Sequence, residues 1–312
     1  MAAGKDLPQA LTPLEGPLPA SLSRAAAESL GPWGERTRAL VAAGRVPADV
    51  VTGLTLYLLA NQARRPRPTG ERPKGAVSGG VWVREQFTVH APMEIGKPLS
   101  LRGESARRFT RRGRRYGVNT SQTRDAKGEL LATNCTTGLL RYRKDESLPD
   151  GEEGLAESEL IAPCPDGSRA ADNPSLAALR SLSVGDRFEG EPQRVTLEMM
   201  RQRDAGRDDN PIHTDPEVAR REGLKAPIAG GSHVLAFGLE LLMRAWGSEA
   251  LLYGSHFDVR WKGQTYAETS VTPFAVVEAV GPEEVAVSLE VRGEERIALV
   301  CALRIPLGEA AA

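Results

Sequence analysis

Residues that could carry acid–base chemistry are concentrated in one stretch of the chain, from residue 204 to residue 246. Asp208 and His213 lie five residues apart there, and the Asn210-Pro211 pair between them is a turn signal. A turn at that point predicts that the carboxylate and the imidazole converge. Two such groups that share one water molecule can act as base and acid in turn. The stretch is therefore predicted to be an active site.

The carboxylate of Asp209 is an alternative base, because it neighbours Asp208 in the chain. The spacing to His213 favours Asp208, and Asp209 stays open as the second choice. His213 and Asp215 could also supply two metal ligands, but no third ligand stands at a recognisable spacing. No metal is predicted.

The residues after the histidine predict a short helix from Pro216 to Glu222. Thr214 or Asp215 suits its N-cap, proline suits the first helical position, and Gly223 suits the position just past its end. Asp215 is therefore better explained as a cap than as a ligand.

A loop rich in glycine then leads into a long apolar helix, predicted from Ser232 to Trp246 with Ser232 as its N-cap. The first backbone N–H groups of a helix have no partner within it and carry the positive end of its dipole. Gly230 and Gly231 would let a substrate approach these groups closely. Such donors suit the enolate oxygen that develops on a thioester carbonyl.

The chain repeats one order of elements, a helix followed by alternating, β-branched strands. The first helix is predicted over residues 48–62, and the last two strands of the first unit are joined by a turn at residues 125–128. The repeat predicts an α+β fold in which two helix-on-sheet units form one continuous antiparallel sheet. The predicted strands are Val81–Val89, Leu99–Gly103, Tyr116–Arg124 and Leu130–Tyr142 in the first unit, and Tyr253–Trp261, Glu268–Ala279, Glu284–Arg292 and Arg296–Ile305 in the second.

Short matches between the two units support the repeat. Phe87 stands where Phe257 stands in the second unit, and Cys135 and Cys301 are predicted to occupy matching positions in the last hairpins. The predicted divisions are an N-terminal arm (1–34), a first unit (35–143), a linker (144–175) and a second, catalytic unit (176–312).

The motif in the second unit resembles the signature of the MaoC-like (R)-specific enoyl-thioester hydratases and dehydratases. The resemblance rests on DDNPIHTD at residues 208–215, on Ala219 to Gly223 and on PIAGG at residues 227–231. Residues 182–186 and 195–198 are similar to that family's lead-in. The first unit resembles the degenerate half of two-domain members, and the whole arrangement resembles a double hotdog.

The resemblance implies reversible syn addition of water across a trans-2-enoyl thioester of CoA or of an acyl carrier protein. It implies that Asp208 and His213 hold the water as the acid–base pair, that Asn210 orders the loop, and that the Gly231 N–H is the oxyanion donor. It implies no cofactor, and a homodimer is one assembly compatible with it. A hotdog thioesterase and a non-catalytic thioester-binding protein are the alternatives.

Three departures from the resembled motif bear on the identity of the substrate. Arg207, Gly230 and Ser232 replace a small residue, a histidine and a bulky apolar residue of the resembled motif, which predicts a roomier, more polar wall and a branched or oxygenated acyl group. His233 is interpreted first as a structural core histidine and second as a pocket residue that supports the site.

Composition excludes some partners. With 40 basic and 41 acidic side chains the net charge is near zero, which argues against nucleic acid and an anionic membrane. A dense arginine run is interpreted as a solvated hairpin or, alternatively, as contacts for the phosphates of CoA or an acidic carrier protein. Its candidate phosphate contacts are Arg111, Arg112, Arg114 and Arg115.

Location is predicted from the cysteines and the N-terminus. The three cysteines are far apart in the sequence and match neither a disulfide framework nor a zinc spacing. The first 20 residues have no signal-peptide core, and residues 50–60 are too short for a membrane span of about 20 residues. The sequence therefore predicts a cytoplasmic protein without a membrane segment.

Overall fold

The computed structural model describes residues 7–52, 81–140, 147–160, 163–204 and 210–308. The α-helices in these ranges are α1 (Ala20–Glu28), α2 (Glu35–Ala42), α3 (Ala48–Val51), α4 (Leu176–Arg180), α5 (Leu197–Asp204), α6 (Pro216–Arg221) and α7 (Gly231–Trp246). The strands are β1 (Gln9–Ala10), β2 (Leu14–Pro17), β3 (Val81–Val89), β4 (Pro98–Arg111), β5 (Arg114–Asp125), β6 (Leu130–Leu139), β7 (Gly151–Gly154), β8 (Arg187–Glu189), β9 (Gln193–Val195), β10 (Ser255–Trp261), β11 (Thr269–Val280), β12 (Glu284–Gly293) and β13 (Ile297–Pro306).

The described strands form one sheet in the order β1-β4-β5-β6-β3-β10-β13-β12-β11-β8. β2 and β7 pair with β4, and β9 pairs with β11. The order contains one arrangement twice, as β3-β6-β5-β4 and β10-β13-β12-β11, placed back to back. The predicted α+β fold with one continuous sheet is confirmed.

The central helix α7 is buried on nearly every side, as its apolar sequence predicts. The sheet strands β8, β11, β12 and β13 cover one side, while α2 and α3 from the first half cover another. Of the described helices, none is long and apolar enough to cross a membrane.

The two halves meet where β3 pairs with β10. Phe87 lies directly opposite Phe257, and their rings stack with centroids 4.4 Å apart. On the other side of the strands, Arg84 donates two hydrogen bonds to Asp258, of 2.8 and 2.6 Å. The sequence match between the two phenylalanines therefore marks the pseudo-symmetric centre of the sheet.

The predicted matching of Cys135 with Cys301 is wrong. Cys135 pairs with Gln86, one residue before the first phenylalanine of the junction, whereas Cys301 pairs with Val259, two residues after the second. The two positions are three residues out of register. Because side chains alternate between faces along a strand, the two thiols lie on opposite faces of the sheet.

The residues on both sides of the predicted boundary between the arm and the first unit pack on α7. Backbone N–H groups of Arg36 and Thr37, at the start of α2, donate to the carboxylate of Glu240 at 2.7 and 2.8 Å. The indole of Trp33 donates to the Phe237 carbonyl at 3.3 Å. A buried carboxylate on one helix thus caps the N-terminus of another.

Residues 144–175, predicted as a linker, make ordered contacts where they are described. β7 pairs with β4. The Thr88 hydroxyl donates to the Cys164 carbonyl at 2.8 Å, and the Asn173 amide donates to the Ala250 carbonyl at 3.0 Å. The described residues of this segment are therefore hydrogen-bonded to the rest of the fold. The division of the chain into four parts stays a prediction.

The end of β4 differs from the sequence interpretation. β4 continues to Arg111 instead of ending at Gly103, because its arginine-rich end pairs with β5 and β7. Of the predicted helix over residues 48–62, only α3 lies within the described residues, and residues 53–62 lie outside them. The turn at residues 125–128 is confirmed by the 3.0 Å hydrogen bond that the Gly128 N–H donates to the Asp125 carbonyl.

Candidate active site

His213 ends a short 3-10 turn, Pro211–His213, that follows the Asn-Pro signal. Its ring nitrogen Nδ1 lies 2.7 Å from the carbonyl oxygen of Ile228. A carbonyl only accepts, so Nδ1 carries a proton and, in the neutral ring, Nε2 is the basic nitrogen. The side-chain nitrogen of Asn210 lies 3.4 Å from Nε2. The backbone thereby selects one tautomer of the candidate acid–base residue.

Backbone hydrogen bonds of the neighbouring residues connect the histidine turn to the segment that leads into α7. The Ile228 N–H donates to the Ile212 carbonyl at 3.3 Å, and the Ala229 N–H donates to the Thr265 carbonyl at 2.8 Å. Gly231, three residues after the carbonyl that holds His213, is the first residue of the helix. The sequence-predicted imidazole and helix start are therefore adjacent parts of one hydrogen-bonded unit.

Asp208, the predicted partner of His213, lies outside the described residues, and so do Asp209 and Arg207. Their assignments rest on the sequence motif alone and stay predictions. α5 ends at Asp204, just before them, and α6 begins at Pro216, just after the histidine turn.

The capping residues of two helices are resolved. Asp215 caps α6, since its Oδ1 accepts from the N–H groups of Glu217 and Val218 at 2.7 and 3.2 Å. Gly223 follows the helix with a φ of +84°. The prediction that Ser232 caps α7 is wrong: the helix begins one residue earlier, Gly230 occupies the N-cap, and no side chain bonds there.

Gly231 has room for no side chain. An ideal Cβ at this position would lie 2.4 Å from Nε1 and 2.6 Å from Cε2 of Trp261, at the end of β10. Both distances are far shorter than a carbon contact, so any other residue would displace the indole or the helix start. Within the described residues, no backbone carbonyl accepts from the Gly231 N–H. Glycine is required here by packing, and its N–H is left as a donor.

Gly230 has the opposite surroundings. A Cβ built on it would meet no atom of the described residues within 4 Å. The space that a side chain would fill at the N-cap is therefore open in the described part of the chain, as the departure at this position predicts.

His233 lies in the first turn of α7 but is 0% exposed. Its Nε2 lies 3.0 Å from the Ser29 carbonyl, and its ring stacks on Phe237 with centroids 5.4 Å apart. Burial and then the charge of Arg203 lower the pKa of His233 to about 3, so the ring is neutral. These contacts favour the structural interpretation over a pocket residue.

Next to this histidine, Arg203 of α5 forms a buried ion pair with Asp49 of α3, with 2.6 Å between guanidinium and carboxylate. Asp49 is 1% exposed. The pair joins the two halves of the chain immediately before the stretch that contains the predicted catalytic carboxylate. Sequence reasoning missed it, because the two residues are 154 positions apart in the chain and neither belongs to a motif.

The remaining histidines lie at the junction of the halves. His90 Nδ1 lies 2.8 Å from an Asp166 carboxylate oxygen, and its Nε2 lies 3.0 Å from the Thr133 hydroxyl. His256 lies 3.2 Å from the Thr88 hydroxyl, and burial lowers its pKa to about 4. Both rings are hydrogen-bonded to neighbouring side chains, which supports a structural role for them.

The arginine run forms the hairpin between β4 and β5. Arg112 and the glycine that follows it both have positive φ, of 51° and 71°, as a two-residue type I′ turn requires. Arg111 lies 3.7 Å from the carboxylate of Glu152. Arg114 and Arg115 are exposed at the start of β5. The hairpin interpretation is confirmed, and the phosphate contacts stay a prediction.

The chain is similar to known proteins in the motif of its second half and in its whole fold. Residues 183–278 match the family model described as MaoC like domain. A solved structure described as a MaoC-like dehydratase superposes with a TM-score of 0.69 and 16% identity, covering 97% of this chain and 98% of the other. Rv0216 of Mycobacterium tuberculosis, described as having a double hotdog fold, superposes with a TM-score of 0.66 and 14% identity over 97% of each chain.

The fold is shared across more than one described activity. A protein of Lactobacillus plantarum described provisionally as an oleoyl thioesterase superposes with a TM-score of 0.54 and 12% identity, covering 97% of this chain and 98% of the other. Comparison with curated protein sequences gives no match. The chain therefore has the double hotdog fold, and its activity has to be argued from the site.

Proposed function

Because the second half of the chain carries a MaoC like domain over residues 183–278, we propose that the protein is an enoyl-thioester hydratase or 3-hydroxyacyl-thioester dehydratase. The observation that carries this proposal is the bond between His213 and the Ile228 carbonyl, three residues before the helix start at Gly231. It supports a basic Nε2 and an oxyanion donor in one site.

In the hydration direction, one member of the pair Asp208 and His213 removes a proton from water, and the water oxygen bonds to C3 of the enoyl group. The π electrons move onto the thioester oxygen, which becomes an enolate oxygen held by the Gly231 N–H. The other member delivers a proton to C2, and the carbonyl re-forms. The sequence of steps consumes one water, needs no cofactor, and runs backwards as dehydration.

The helix start supports the charge that develops on the oxygen. Its unpaired N–H groups carry the positive end of the dipole of a 16-residue helix. Donors held in place before the reaction need no reorganisation, and one such donor is worth about 10²–10³ in rate. The acid–base pair adds about 10²–10⁴.

The substrate follows from the open side of the site. Gly230 leaves space, Ser232 is not engaged as a cap, and Arg207 stands before the predicted base. We therefore propose a branched or oxygenated enoyl thioester, carried by CoA or an acyl carrier protein. Faster hydration of crotonyl-CoA than of bulkier enoyl thioesters would contradict this substrate class.

The test is a mass-spectrometric screen of enoyl and 3-hydroxyacyl thioesters for gain or loss of water. Asp208→Asn is expected to lower turnover by about 10²–10⁴, because it removes the carboxylate base. Asp209→Asn is the matched control and is expected to stay within a few-fold of the wild type. The reverse result would assign the base to Asp209, and release of free thiol without a change in water content would indicate a thioesterase.

A further inference from the structure

The indole N–H of Trp261 is buried and has no hydrogen-bond partner among the described residues. The indole of Trp33, by contrast, donates to the Phe237 carbonyl at 3.3 Å. Buried indole N–H groups usually find an acceptor, because an unpaired buried donor has lost its hydrogen bonds to water without a replacement. An acceptor from outside the chain would satisfy the Trp261 donor.

This N–H lies close to the backbone N–H of Gly231. An ideal Cβ on Gly231 would lie 2.4 Å from Nε1 of Trp261. With a Cα–Cβ bond of about 1.5 Å and an N–Cα bond of about 1.5 Å, the indole nitrogen lies within about 5.4 Å of the Gly231 nitrogen. Two hydrogen bonds of about 2.9 Å to one shared atom span up to about 5.8 Å. The separation is therefore short enough for one oxygen to lie within hydrogen-bond distance of both nitrogens.

We propose that the indole N–H of Trp261 is the second donor to the thioester carbonyl oxygen, beside the Gly231 N–H. The inference rests on the proposed function for its reaction, and it adds a side-chain donor to the backbone donor. Two donors on one oxygen stabilise the enolate more than one, because the oxygen gains charge as the reaction proceeds. The same packing requires glycine at position 231.

A second buried indole serves as a control for the general effect of replacing a buried tryptophan. Nε1 of Trp246 also has no partner among the described residues. It stands at the other end of α7, 15 residues from the helix start, which is about 22 Å along the axis. Trp246 thus carries the same chemistry without the neighbouring backbone donor and supplies a matched control.

The experiment compares binding of butyryl-CoA with binding of its thioether analogue S-butyl-CoA, which lacks the carbonyl. Trp261→Phe is expected to weaken butyryl-CoA roughly 2- to 10-fold, the effect of one hydrogen bond, and to leave S-butyl-CoA unchanged. The carbonyl stretch of bound butyryl-CoA should move toward its value in water. Trp246→Phe is expected to change neither the affinity ratio nor the stretch.

The comparison within each variant separates the donor role from misfolding, because both ligands meet the same folded protein. Equal loss for the two ligands, no loss at all, the same selective loss in Trp246→Phe, or no binding of butyryl-CoA by the wild type would each overturn the proposal. If Trp261→Phe selectively weakened butyryl-CoA binding but the wild type hydrated no thioester, the donor role would be supported and the proposed reaction would be rejected. For an active enzyme, Trp261→Phe should lower kcat/KM roughly 10²- to 10³-fold.

Discussion

The two halves of the molecule begin a helix in the same way but surround its first residues differently. The residues before α3 and α7 are Pro47, with φ −62° and ψ 145°, and Gly230, with φ −62° and ψ 146°. In each half a backbone N–H two residues before the helix donates to a returning chain, from Val46 to the Met93 carbonyl at 2.9 Å and from Ala229 to the Thr265 carbonyl at 2.8 Å. The fold builds one helix start twice.

Side chains make the two helix starts different. The first residue of the helix is Ala48 in one half and Gly231 in the other. Four residues after the stacked phenylalanines, the first half has Ala91 where the second has Trp261.

The second position of each helix differs as well. The first half places Asp49 there, buried and paired with Arg203, whereas the second half places Ser232 there. An ion pair fills the helix start of the first half, and that of the second is left with a glycine, an indole N–H and a nearby histidine. The fold thus supplies a helix start in both halves, and a few side chains make their surroundings different.

The largest expected effect is a loss of stability when the ion pair at the start of α3 is removed. Asp49→Asn should destabilise the protein by up to about 3–5 kcal/mol, because it removes a buried carboxylate charge that lies 2.6 Å from the guanidinium of Arg203. Urea unfolding measures the change. Glu295→Gln, at the exposed Lys225 pair of 3.4 Å, is the control and should cost at most about 1 kcal/mol. Equal effects of the two substitutions would mean that burial of the first pair carries no weight.

The next largest effect is expected when the first residue of each helix is replaced by the first residue of the other. Gly231→Ala should lower kcat/KM by about 10²–10³, because the new methyl group would meet the indole of Trp261 and shift the oxyanion donors. Ala48→Gly, the reciprocal change, should cost only about 0.5–1 kcal/mol of stability and leave kcat/KM within a few-fold. A Gly231→Ala variant with wild-type kcat/KM would contradict the proposal that only the second helix start takes part in catalysis.

The smallest expected effect is a change in how stability depends on pH. The folded pKa of His233 is about 3, against an unfolded value of 6.5, because of burial. Between these values the unfolded chain binds more protons, so stability falls as pH falls, by at most about 1.4 kcal/mol per pH unit for this group. Urea unfolding from pH 7 to about pH 4.5 should show a shallower slope for His233→Gln than for the wild type. Identical slopes would show that this ring does not stay neutral in the folded protein.

Much of the second half follows from its sequence, because the signals there are local. The strands from β10 to β13 end within two residues of their predicted bounds, since their alternation and turns are regular. The Asp215 cap and the tethered His213 turn follow from proline, aspartate and glycine at fixed spacings. The Ser232 cap failed because a glycine with an extended backbone can also begin a helix.

Contacts between distant residues did not follow from the sequence. The Asp49 and Arg203 pair and the packing of Trp261 on Gly231 each join segments that no motif connects. The hydrogen bond from the Trp33 indole to the Phe237 carbonyl likewise joins the predicted arm to α7. Such contacts depend on the tertiary fold, and local propensity carries no signal for them.

The proposed hydratase site on His213 in the second half can be tested by direct measurement. The rate and stereochemistry of hydration are compared for a panel of trans-2-enoyl-CoA thioesters with wild type, His213→Ala and His90→Ala. We expect (R)-3-hydroxyacyl thioester from the wild type and from His90→Ala, with His213→Ala slower by about 10²–10⁴. Wild-type rates in His213→Ala, or release of CoA thiol in place of hydration, would contradict the assignment.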